Sequence, residues 1–69
     1  MRDIKKFVHE GEFVAEVEVT LNESQDGWGP YLSLEDAEKL DEVRVALRRG
    51  DLNLASGLAR VFRLMPVSA

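Results

Sequence analysis

His9, Glu10 and Glu12 are the residues of this chain whose types best suit metal binding or acid–base work, and their spacing argues against both. A metal site needs three or four convergent ligands, whereas an extended backbone sends His9 and Glu10 to opposite faces. His9 reads as a surface or strand-end residue. The other carboxylates fall into two groups, Glu16 with Glu18 and Glu38 with Asp41 and Glu42. The first pair shares one face of a strand and the second group the polar side of a helix, so each is accounted for as a solvated surface. Ser24, Ser33, Ser56 and Ser68 have no nucleophile-elbow context, and His9 is the single histidine available as a triad base. Gly50 and Gly57 are not followed by the lysine of a phosphate-binding loop. With no cysteine, thiolate zinc, iron–sulfur and disulfide chemistry are excluded. The residues point to no enzyme and no cofactor.

A second set has the types that recognise partners. Arg44 and Arg48 lie one turn apart on a helical stretch, and Arg60 and Arg63 lie near the end of the chain. Converging, they would form a patch for a carboxylate-rich partner or a phosphate backbone; alternatively they neutralise Glu16, Glu18 and Glu23 within the domain. Trp28, Pro30 and Tyr31 form an apolar group outside the periodic segments. Aromatic residues are enriched among interface anchors, and a tryptophan at a hairpin end serves either as such an anchor or as a lid on a small core.

The elements that must position these residues can be read from periodicity. Phe13, Ala15, Val17, Val19 and Leu21 alternate with Glu16, Glu18 and Thr20, which is the period of a half-buried strand. Ile4 to Val8 reads as a strand before it, reversed by a turn at Gly11. Residues 22–27 are turn formers, and the segment from Trp28 to Leu32 reads as a short or edge strand because Pro30 cannot donate to a ladder. Ser33, Glu35 and Asp36 resemble a capping box, and a helix over 34–49 follows with Leu34, Ala37, Leu40, Val43 and Leu47 on one stripe. Gly50 is placed for a left-handed cap, Asp51 for the cap of a second helix through Ala59, and Val61 to Met65 for a last strand stopped by Pro66. The expected fold is α+β, a small antiparallel sheet of three to four strands with two helices packed on one face, in the order β-β-β-α-α-β, forming a single domain over 1–69.

Size and charge bound what that domain can do. A chain of 69 residues supports a small core, and without disulfide or metal the expected reinforcement is a second copy. An edge strand would supply the contact, giving a homodimer. Residues 1–42 carry twelve acids against four bases, and residues 43–69 one acid against five arginines, for a net charge of −4. The start has charge but no apolar segment behind it, and no stretch approaches the length of a membrane span, so a cytoplasmic location is expected. Ala46 and Gly50 have the spacing of a helix-turn-helix, yet Asp51 stands where an aliphatic residue belongs and the second helix is poor in bases. Nucleic acid is therefore not the expected partner.

The segment from Gly27 to Ala37, GWGPYLSLEDA, together with Val43 to Asp51 and Ala59 to Phe62, resembles a group of short bacterial proteins of two-gene toxin–antitoxin-like loci. A looser likeness is to HicB-type antitoxins, whose Pro-Asp-Leu-Pro-Gly segment is absent. The resemblance implies a small acidic protein that neutralises a small basic toxin. Two other readings stand beside it: a self-associating structural module, and a weak DNA-binding regulator using the helix pair.

Overall fold

The computed structural model describes residues 2–22 and 31–67. Six elements follow in the expected order: β1 (Arg2–Glu10), β2 (Phe13–Asn22), β3 (Tyr31–Leu32), α1 (Leu34–Arg49), α2 (Leu52–Leu58) and β4 (Arg60–Arg63). The fold is α+β, an antiparallel sheet with both helices packed against it. The strands β1 and β4 are bounded differently from the sequence reading, β1 reaching Arg2 and Glu10 and β4 beginning one residue earlier and ending at Arg63. Pairing with β2 extends β1 past its apolar centre, since a ladder bond does not ask what the side chain is.

All pairing runs through β2. One edge of β2 takes β1 along its whole length, from Arg2 opposite Leu21 to Glu10 opposite Phe13. The other edge takes β3 at Leu21 and Asn22 and β4 at Phe13 to Glu16. Gly11, with φ 59°, occupies the first position of the two-residue reversal between β1 and β2, where a left-handed residue matches the twist of the strands. The core is Val8, Ala15, Val17, Val19, Val43, Ala46, Leu47 and Ala55, with Phe13, Leu40, Leu52 and Val61 among the residues packed around it.

The helix caps follow the sequence. Ser33 Oγ accepts from Asp36 N–H (3.1 Å), Gly50 takes the left-handed conformation with φ 75°, and Asp51 Oδ1 accepts from Leu54 N–H (3.2 Å). The stripe is corrected in its first turn: Leu34 is 74% exposed and Ala37 is exposed, so neither joins the core. Asp36 turns toward the sheet instead, its Oδ2 accepting from the backbone N–H of Thr20 (2.9 Å). Lys39, one turn on, donates from Nζ to the carbonyl of Glu18 (3.0 Å). These two bonds close the stretch of β2 that lies between β3 and β4. Among the described helices none is long and apolar enough to cross a membrane.

Candidate functional site

Strand alternation sorts the sheet into two faces. Ala15, Val17 and Val19 point to the helices, so Val14, Glu16, Glu18 and Thr20 point away, together with their opposite numbers on the flanking strands. The register puts His9, Val14 and Phe62 in one row and Phe7, Glu16 and Arg60 in the next. Further along the same face stand Lys5 beside Glu18, Asp3 beside Thr20, and Tyr31 beside Asn22. Both helices lie on the other side, and among the described residues nothing covers this face.

Its composition is unusual for a solvated surface. Phe7 is 66% exposed, Tyr31 55% and Phe62 40%, while of the described aromatic residues only Phe13 packs against the core. The core itself is filled by valine, alanine and one leucine. Arg60 lies over the Phe62 ring, its guanidinium carbon 5.2 Å from the centroid, within the range of a cation–π contact. Lys5 Nζ lies 3.0 Å from Glu16 Oε1, and among the described residues Glu18 and Asp3 are the carboxylates of this face outside an ion pair. Asp3 accepts a hydrogen bond from the Thr20 hydroxyl (2.9 Å).

The residues singled out from sequence are divided between the two faces. Tyr31 and Arg60 stand on the open face. Arg63, three residues from Arg60, is on the helix side, where its guanidinium covers the Phe13 ring at 5.4 Å and approaches Glu12 at 4.0 Å. Arg44 and Arg48 are on α1, and Arg48 Nε donates to Glu10 Oε1 at 3.1 Å. That hydrogen bond, reinforced by the charges of Arg48, Arg44 and His9, holds the Glu10 carboxyl below the usual carboxylate range, and it raises Arg48 in turn. The arginines therefore do not converge. They do pair with acids of the N-terminal half, Arg48 with Glu10 and Arg63 with Glu12; of the expected Glu16, Glu18 and Glu23, Glu16 pairs with Lys5, and Glu18 has no arginine partner among the described residues. Trp28 and Pro30, and with them the start of the expected third strand and Glu23, lie outside the described residues.

His9 is spent on local structure, its Nε2–H donating to the carbonyl of Gly11 (2.8 Å) across the reversal. Glu10 and Glu12 turn to different arginines, so the three residues do not converge on one point. Ala46 and Ala55, the inner residues of the would-be helix-turn-helix, are buried in the core, and Arg60 lies in β4 rather than on α2.

Phe7 and Phe62 are exposed aromatic residues that the sequence reading did not single out. The signal was present: Ile4 and Val8 claim the core face of β1, so a phenylalanine at an odd position has to face the other way. No family model matches the chain, and no curated protein or solved structure shows significant similarity to it.

Proposed function

We propose that this chain is a non-catalytic protein-interaction domain whose open sheet face binds a small basic protein. One observation carries the reading: Phe7 and Phe62 are exposed in neighbouring rows of the face that the helices leave bare, with Tyr31 exposed at the far end of the same face, while valine, alanine and one leucine fill the core. Aromatic residues and arginine are the types that concentrate binding energy at the centre of an interface. Exposed apolar groups of this kind on one side of a small domain are a cost that binding relieves.

The charge favours a basic partner. The chain carries −4, and the exposed acids of the open face, Asp3 and Glu18, would attract a cation-rich surface to it. A small basic toxin, which the sequence resemblance implies, fits this description. Co-expression with the product of the adjacent gene, followed by sizing of the purified material, tests the reading. The expected result is a complex that is lost in the variant Phe7→Ser/Phe62→Ser while the melting transition of the isolated domain stays cooperative. A complex that survives both substitutions, or none with a basic neighbour, would refute it.

A further inference from the structure

We propose that the outer edge of β1 pairs with the same edge of a second copy, antiparallel and centred on Lys6, so that two sheets become one. This goes beyond the binding role of the open face and does not rest on it.

The first argument is which edge is free. Asp36 and Lys39 close the middle of the far edge of β2, and β3 and β4 occupy its ends. Among the described residues nothing pairs with the outer edge of β1, which is nine residues long. The polarity of that edge follows from the same two bonds. Thr20 and Glu18 direct their backbone groups away from β1, so the odd residues of β2 bond to β1 through its even residues. The odd residues Asp3, Lys5, Phe7 and His9 therefore present their N–H and C=O groups outward, and an unpaired row of this length is a template for another strand.

The second argument is that the strand is complementary to itself. Antiparallel pairing about Lys6 overlaps all nine residues and sets Arg2 against Glu10, Asp3 against His9, Ile4 against Val8 and Lys5 against Phe7. Opposite signs meet where Arg2 faces Glu10, a carboxylate faces an imidazole where Asp3 faces His9, two apolar residues meet on the core side, and the Lys5 stem lies along a ring. Sliding by two residues either way shortens the overlap and puts Ile4 against Lys6 or against Glu10. The unfavourable row is Lys6 against Lys6 on the two-fold axis. On the helix side, α1 crosses the sheet from the far edge of β2, where Asp36 and Lys39 bond, to the Glu10 end of β1, where Arg48 bonds.

Sedimentation equilibrium from low to high micromolar concentration reads the mass directly. The expected mass is about twice 7.8 kDa. His9→Glu should weaken the dimer by roughly 2- to 30-fold, because two cross-strand pairs are lost at once, and Asp3→Lys in the same chain should restore it. Asp3 and His9 lie about 20 Å apart along their own strand, so rescue cannot arise within one copy. Lys6→Thr should tighten the dimer. A monomer mass throughout would overturn the proposal, and so would a dimer that ignores His9→Glu or is not rescued by Asp3→Lys.

Discussion

Glu10 and Arg48 are separated by 38 positions in the chain and meet through a single hydrogen bond, and the consequence can be measured by titration. A carboxyl whose folded pKa is depressed gives stability that is present above its unfolded pKa and lost as pH falls through the folded value. Glu10 is such a group. The stability difference between the parent chain and Arg48→Ala should therefore be full at neutral pH and vanish in acid, below the usual carboxylate range. Chemical-denaturation midpoints of both proteins at neutral and acid pH check this, and a difference that does not change with pH would mean that the pair contributes nothing. No periodicity in the sequence could have matched these two residues. Arg48 reads locally as a favourable charge at a helix end, and only the packing of α1 along β1 gives it Glu10 as partner.

Among the elements, α1 was legible at both ends because its signals are local: Ser33 before it and Gly50 after it act on backbone groups a few residues away. Its orientation was not. Leu34 and Ala37 fit a helical stripe by spacing, yet the first turn gives its inward position to Asp36, because the gap between β3 and β4 leaves the Thr20 N–H in need of an acceptor. Asp36→Ala should accordingly cost about 1–3 kcal/mol, with Asp36→Asn retaining much of the stability, since an amide oxygen can still accept. Equal loss in both variants, measured by urea denaturation, would show that charge rather than the hydrogen bond matters. Gly57 presents the opposite case. A methyl group added there meets no atom within 4 Å, and its backbone is not left-handed, so nothing in the packing requires glycine. Gly57→Ala should stabilise the domain by about 0.4–1 kcal/mol, visible as a raised denaturation midpoint.

For the molecule as a whole, the layer architecture and the order of elements along the chain were legible, because an alternating strand and a capped helix leave few ways to bury their apolar sides together. The division of the arginines was not, since it depends on whether β4 places an odd or an even position inward. That division bears on nucleic acid. With Arg48 held by Glu10, Arg63 beside Glu12 and Arg60 on the opposite face of the sheet from Arg63, these three arginines do not form one clustered surface of the kind phosphate binding needs. Arbitrary duplex DNA should bind no tighter than about 10⁻⁵ M at physiological salt in a fluorescence-anisotropy titration. Tight and salt-sensitive binding to its own promoter would instead favour the helix-turn-helix reading.

That β2 touches every other strand also orders events in time. Closing β1 onto β2 needs only a two-residue reversal, whereas β4 must return across both helices before it can pair with Phe13 to Glu16. Chain entropy favours the short closure, so the hairpin should assemble early and β4 should dock last. The reverse journey begins at the same place. In native-state hydrogen exchange, the amides that join β4 to β2 should open with a smaller free energy than those between β1 and β2, and the molecule should be able to shed its last strand while the hairpin stays closed.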